Sequence, residues 1–174
     1  SKSLGNSLFL KDLMDAYSPE TVKFALLQTN YRGDINVTDN LFPDAEKHIT
    51  GFYKIIDSVY STFGTQGEEI DHQGIKDSFK QAMDDDFNTA KALANLFGIF
   101  KKIKSKVNTG DKTAVDDVLT LKKVYGLLGF FRADPKVFVK AEEVEVKEES
   151  VASDIPAEVM QLVNDRADAK ANKN

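Results

Sequence analysis

Residues 82–107 read AMDDDFNTAKALANLFGIFKKIKSKV, and this stretch decides the fold of the chain. Asn88 and Thr89 stand directly before an apolar run, and both favour a helix N-terminus because their side-chain oxygens accept a first-turn backbone N–H. Apolar residues then recur every three or four positions, namely Leu93, Leu96, Phe97, Phe100, Ile103 and Val107. Further apolar residues widen this surface beyond one stripe, so neighbours should pack on several sides. The stretch therefore predicts the central helix of a bundle.

The charges along this stretch change sign from its beginning to its end. The three aspartates of 84–86 precede the predicted helix, where negative charge is favourable near the positive end of the helix dipole. Four lysines lie in the second half, where positive charge is favourable, and they are Lys101, Lys102, Lys104 and Lys106. Asn108-Thr109-Gly110 then supplies a stop signal.

Helical spacing also dominates the rest of the chain, and the sequence predicts an all-α protein. Alternation typical of strands is nearly absent, with AEEVEVKEE at 141–149 as one weak exception. Predicted helices cover Lys11–Ala16, a segment opened by Ser18-Pro19, a long segment capped by Thr38, Ile75–Met83, a helix within Thr113–Phe131 that ends at Gly129, and segments opened by Asp134-Pro135 and Asp154.

Composition narrows the class of protein. The chain has 174 residues, of which 41% are hydrophobic, so one domain of ordinary size with a real core is expected. The net charge of −5 is poor evidence for nucleic-acid binding, because that affinity comes mainly from Lys and Arg beside phosphates. A local basic patch on an acidic chain remains compatible with this composition.

Cysteine and histidine usage argues against a secreted or zinc-folded protein. The chain has no Cys and only two His, far apart at His48 and His72, so neither disulfides nor a structural zinc site is expected. No apolar run reaches the roughly 18 residues of a membrane span. The start lacks a signal pattern, so a cytoplasmic protein is expected. The first residue is Ser, which suggests a fragment or a processed product.

Three short motifs are better explained by chance or by helix structure. Arg32-Gly33-Asp34 spells an adhesion tripeptide and Asn36–Thr38 a glycosylation sequon, but neither compartment is supported here. Asp84–Asn88 is rich in oxygen ligands. It lacks the Gly and Glu of an EF-hand loop, whose places are taken by Thr89 and Asn95. We expect no metal site from these motifs.

Two basic segments are candidates for phosphate contact. The four lysines between 101 and 106 either contact phosphates or form a solvated helix end. Ser1–Asn6 reads SKSLGN, and a lysine flanked by hydroxyls in a Gly-containing loop suits mobile contact with a polyphosphate. Physical chemistry alone leaves both alternatives open.

The chain resembles class I aminoacyl-tRNA synthetases and, among them, the cysteinyl-tRNA synthetase family. SKSLGN looks like the end of the KMSKS signature, and MDDDFNT at Met83–Thr89 is the most specific match. Ala90 departs from the pattern, since the family often has Pro there. Other similar stretches, in the same order, are Ser18–Leu27, Asn30–Arg32, Leu127–Gly129, Asp134-Pro135 and Ile155–Asn174.

The resemblance implies the enzyme chemistry of the family for the full-length protein. Such enzymes activate cysteine with ATP and Mg²⁺ and esterify it to tRNA(Cys), using a catalytic domain with a HIGH motif and a zinc ion. Lys2 resembles the second lysine of the signature loop, which stabilises charge on the ATP phosphates, while Ser1 and Ser3 would shape that loop. This sequence holds no His-x-Gly-His and no Cys. We therefore expect no aminoacylation, and no bound ATP or zinc, from these residues alone.

The resemblance also implies a domain arrangement and a nucleic-acid partner. Residues 1–9 would end the KMSKS loop, 10–40 would contact the tRNA stem, 41–140 would form a DALR-type anticodon-binding helical bundle, 141–154 an acidic linker, and 155–174 the start of a truncated C-terminal domain. The candidates for tRNA backbone contact, chosen by charge and position, are Arg32, Lys101, Lys102, Lys104 and Lys106.

Three functions follow from the sequence. The first is a tRNA-binding appendage of a cysteinyl-tRNA synthetase that is inert alone. The second is an independent enzyme that uses Lys2 and the aspartates, which ATP–pyrophosphate exchange with cysteine would reveal. The third is a helical protein-interaction module, favoured if the bundle self-associates and binds no RNA.

Overall fold

The computed structural model describes residues 11–28 and 38–139, and within those ranges it contains helices and no strand. The all-α prediction is therefore confirmed. Five helices are labelled here: α1 Pro19–Leu27, α2 Leu41–Phe63, α3 Ile75–Asp84, α4 Thr89–Thr109 and α5 Thr113–Tyr125. They lie in the first of two units into which the chain divides, Ser1–Phe138. Residues 11–16 and 135–139 are also helical, as predicted.

Helix α4 lies at the centre of this unit. It packs against each of the other four labelled helices. Its start is fixed by Asn88, whose side-chain oxygen accepts the Lys91 backbone N–H at 2.9 Å. Its end is fixed by Gly110, which adopts the left-handed conformation with φ 74°. Its buried residues are Ala92, Leu93, Leu96, Ile99, Phe100 and Ile103. The predicted central helix is thus confirmed.

Helices α1 and α2 differ in how their N-termini are capped. At α1 the Ser18 hydroxyl oxygen accepts the Thr21 backbone N–H at 3.1 Å, with Pro19 in the first position, as predicted. At α2 the prediction of Thr38 as cap was wrong. The helix begins at Leu41, whose backbone N–H is accepted by the carbonyl oxygen of Thr38 rather than by its side chain. Pro43 falls in the first turn, where it removes no helical hydrogen bond.

Helix α5 ends earlier than the sequence predicts. The sequence predicts a helix within Thr113–Phe131 that ends at Gly129. Helix α5 instead ends at Tyr125, and a short 3₁₀ turn covers Gly126–Leu128 up to the predicted stop. Gly129 then takes φ 80°, which reverses the chain. As a result Phe130 and Phe131 turn back into the core, where both are almost fully buried.

A carboxylate holds this reversed segment against α1 and α2. Glu20 accepts the Tyr53 hydroxyl at 2.9 Å and the backbone N–H groups of Phe131 and Arg132 at 3.1 and 3.2 Å. The Tyr53 hydroxyl in turn accepts the Ala133 N–H at 3.2 Å. Burial and the neighbouring Glu20 charge raise the pKa of Tyr53 well above its usual range, so this hydroxyl stays protonated and donates.

Candidate nucleic-acid interface

A groove of about 520 Å³ opens between α2 and α4 on the surface of the bundle. Its two walls are the outward faces of these helices, and its base is aromatic. Four lysines and one histidine line it, and no aspartate or glutamate of the described chain does so. In a chain whose net charge is −5, this groove is a local basic surface.

The α4 wall of the groove carries Phe97, Lys101 and Lys104. These positions are three or four residues apart, so they share one face of the helix. Both lysines are exposed. Lys102 does not line the groove, because one residue along a helix rotates the side chain by about 100°. The sequence-predicted basic run is thus divided between different faces of α4.

The α2 wall carries Lys47, Gly51 and Lys54, which again recur at helical spacing. Sequence reasoning missed these residues. The signal was present, since Lys-x₃-Gly-x₂-Lys places all three on one face of a helix, but nothing in the sequence showed that this face lies opposite Lys101. A Cβ added at Gly51 would meet no atom within 4 Å. The missing side chain therefore leaves open space in the groove.

Among the aromatic side chains that line the groove, Phe97 is the most exposed to solvent. It was predicted as part of the inward apolar stripe, yet 44% of it is exposed. It lines the open groove together with Gly51 of the facing wall. Its ring is held edge-on by His48, with centroids 4.8 Å apart, and by Phe52 at 5.3 Å. Phe97 therefore presents a fixed, partly exposed ring.

Positive charge is concentrated in the groove, where four lysines and no carboxylate of the described chain line the surface. Lys47, Lys101 and Lys104 form no ion pair with any described residue. The helix dipole acts mainly within the terminal turns, so it does not account for Lys47, which lies beyond the first turn of α2. Clustered like charges are unfavourable unless an anion neutralises them. The groove is accordingly suited to a polyanionic ligand.

Lys106 differs from its neighbours because it belongs to a buried polar cluster. Its ammonium group lies 2.7 Å from Asp117 Oδ2, and Asp117 is fully buried. The Gln73 amide donates to the same oxygen at 2.7 Å. Asp117 Oδ1 and Gln73 Oε1 have no hydrogen-bond partner among the described atoms. Lys106 thus neutralises a charge inside the bundle, which distinguishes it from the groove lysines as a candidate for phosphate contact.

The remaining predicted site residues fall outside the described ranges. Lys2, Ser1 and Ser3 of the loop that resembles KMSKS lie in residues 1–10, and Arg32 lies in residues 29–37. The acidic linker and the helix expected after Asp154 lie in residues 140–174. Their assignments stay predictions.

The aspartates before α4 bind side chains of the bundle. Asp84 pairs with Lys80 at 2.9 Å, and Asp85 lies 3.9 Å from Lys91. The residue pair Asp86-Phe87 takes positive φ angles of 54° and 52°, which turns the chain sharply between α3 and α4. Ion pairs and this sharp turn account for the cluster, whose first member Asp84 is the last residue of α3.

The described residues contain neither a metal-binding cluster nor a membrane-spanning helix. They contain no group of three or more His, Cys, Asp or Glu side chains that is able to hold a metal, and the whole chain has no Cys. Among the described helices, none is long and apolar enough to cross a membrane.

The bundle and its sequence define a helical domain of the DALR class. Residues 78–132 match the DALR domain family. This match includes the α4 wall of the groove, with Phe97, Lys101 and Lys104. It ends at Arg132, whose backbone N–H donates to Glu20. The α2 wall lies outside the matched residues.

Similarity to curated proteins extends beyond this domain. The chain is 35% identical over 81% of its length to a cysteine–tRNA ligase of Chromohalobacter salexigens. Over its whole length it is 30% identical to the cysteine–tRNA ligases of Azotobacter vinelandii and of Acinetobacter baumannii strain SDF. The chain belongs to the cysteine–tRNA ligase family, and it spans 30–36% of the length of these relatives.

Proposed function

We propose that this chain is the tRNA-binding part, with anticodon-binding and stem-contact regions, of a cysteine–tRNA ligase. The whole enzyme would ligate cysteine to tRNA(Cys) with ATP in the cytoplasm, and ATP, Mg²⁺, zinc and cysteine would be held by a catalytic domain. The names of its relatives and the DALR match support this proposal. If Lys2 belongs to a KMSKS loop, it would contribute to ATP binding only together with that domain.

The basic groove between α2 and α4 carries the proposal. Lysines on both walls would contact the phosphate backbone, which supplies affinity without reading sequence. An acidic chain gains RNA affinity only where positive charge is concentrated, and the groove concentrates four lysines without a lining carboxylate. We therefore place the first contact with tRNA on this face.

Changing both groove lysines of α4 to glutamate should weaken tRNA binding. For Lys101→Glu combined with Lys104→Glu, we expect at least about a tenfold loss of affinity and a salt dependence reduced by about two counterions, because two phosphate contacts are lost. Fluorescence anisotropy with labelled tRNA(Cys) at several salt concentrations measures both quantities. Lys106 is left unchanged in this variant, since its loss would disturb Asp117 rather than a ligand.

Lys102→Glu provides the matched control for the single variants Lys101→Glu and Lys104→Glu, because it makes the same charge change on the same helix outside the groove. It should lower affinity much less than a groove lysine does. Equal losses for Lys102 and for either groove lysine would show that general charge, rather than this groove, attracts RNA. Absence of tRNA binding by the unchanged chain, together with self-association, would favour a protein-interaction module instead.

The chain alone should not activate cysteine. We expect no ATP–pyrophosphate exchange above background, because the sequence has neither a His-x-Gly-His motif nor a cysteine to bind zinc. The complete cysteine–tRNA ligase of Azotobacter vinelandii, assayed in parallel, serves as the positive control. Cysteine-dependent exchange by this chain that disappears in Lys2→Ala would make it an enzyme in its own right.

A further inference from the structure

We propose that the α2–α4 groove holds one unpaired nucleotide of the bound RNA, with its base stacked on Phe97 and its phosphates beside Lys101 and Lys104. This inference rests on the proposed function, because it requires that RNA reaches this face. It adds the kind of RNA element that the groove takes.

The Phe97 ring has the properties of a stacking platform. It is partly exposed, and the rings of His48 and Phe52 contact it at interplanar angles of 88° and 63°. A ring already fixed by its neighbours loses little freedom when a base stacks on it. Every base has a flat aromatic face, so such a platform binds nucleotides with little regard to sequence.

The groove has room for a base beside this ring. Its volume of about 520 Å³ lies within the range of sites that hold a single small ligand, roughly 300–1,000 Å³. Gly51 lines the facing wall and has open surroundings, so no side chain occupies the space beside it. Glycine inside a helix is less stable than alanine or leucine. Gly51 therefore lowers the stability of α2 at a position that lines the groove.

Positive charge is placed on both sides of the proposed base. Lys101 and Lys104 lie one turn apart on α4, and Lys47 lies on the facing wall. A nucleotide between the walls would therefore have lysine ammonium groups within reach of the phosphates that precede and follow it. Lysine suits this role because its charge is compact and its four-carbon stem is flexible.

An unpaired nucleotide fits these features better than a duplex or a phosphorylated peptide. In a duplex the base faces are covered by their neighbours, and only splayed bases of single-stranded segments stack on aromatic side chains. A phosphorylated peptide would satisfy the lysines but offers no regular flat ring to Phe97. The groove combines an aromatic ring and two lysines within two turns of α4.

Two glycine variants test this inference directly. Gly51→Leu should fill the groove without disturbing packing, and Gly98→Leu is its matched control, since Gly98 also lies inside a long helix, has open surroundings and does not line the groove. The probe is a short single-stranded RNA that contains 2-aminopurine, whose fluorescence falls when the base stacks on an aromatic ring. A duplex of equal charge is measured in parallel, and thermal melts confirm that each variant is folded.

We expect the unchanged chain to prefer the single strand and to quench the probe. Gly51→Leu and Phe97→Leu should each weaken single-strand binding by about tenfold and remove the quenching, while Gly98→Leu should change neither. If the Lys101/Lys104 variant weakens RNA binding but Gly51→Leu and Phe97→Leu bind normally, this inference is wrong and the proposed function stands. If the unchanged chain binds no RNA, or prefers a phosphorylated peptide, both fail.

Discussion

Replacing Lys106 with methionine should lower the free energy of unfolding by about 2–4 kcal/mol, because it leaves the buried Asp117 carboxylate without its counter-charge. Methionine keeps most of the apolar stem, so the loss reports the charge rather than the packing. Asp117 is fully buried, while Lys106 is 20% exposed, which places the expected effect toward the lower part of that range. Urea unfolding followed by circular dichroism measures it.

Two further variants separate the buried charge from a general surface effect. Lys102→Met, on the same helix but exposed, should change stability by less than about 0.5 kcal/mol. Adding Asp117→Asn to Lys106→Met should recover part of the loss, because no charge is then left buried and Gln73 keeps an acceptor. If Lys106→Met is no less stable than Lys102→Met, the ion pair contributes nothing to the fold.

Replacing Glu20 with alanine should destabilise the fold by about 2–3 kcal/mol, since it removes the acceptor of several donors at once. The hydroxyl of the buried Tyr53 and the N–H of the buried Phe131 would lose their partner in a region from which water is largely excluded. The segment after α5 should then loosen first. Denaturant unfolding gives the magnitude, and amide exchange at residues 130–133 shows where it arises.

A double-mutant cycle with Tyr53→Phe checks the mechanism. If Glu20 acts through the tyrosine hydroxyl, Glu20→Ala should cost less in the Tyr53→Phe background, because one orphaned donor is already gone. Strictly additive effects would mean that Glu20 stabilises the fold by another route, such as its position in the first turn of α1.

Local signals in the sequence predicted the helices well. Ser18, Asn88 and Gly110 act at helix ends through their own side chains or backbone freedom, so neighbouring residues were enough to identify them. The errors came where tertiary contacts decide. Thr38 has the chemistry of a cap but accepts through its backbone carbonyl oxygen. The last predicted turn of α5 is a 3₁₀ turn, although the chain stops at Gly129 as predicted.

The candidate groove was only half predictable. Lys101 and Lys104 stood out as a basic run, yet the sequence did not distinguish them from Lys106, whose partner Asp117 is on another helix. Lys47 and Gly51 are more than forty residues before Lys101, and only the packing of α2 beside α4 brings them to one groove. Pairings between distant helices are set by packing, which a single sequence does not display.

Because α4 is central, ligand binding to this helix affects the folding stability of the whole unit. Because this helix packs against all four others, its C-terminal half does not detach without dissolving the core. An RNA that binds only the folded form would therefore shift the folding equilibrium of the entire bundle by mass action, by about 2.7 kcal/mol at a hundredfold excess over its dissociation constant. In the proposed enzyme, tRNA would act as a chaperone of the domain that recognises it.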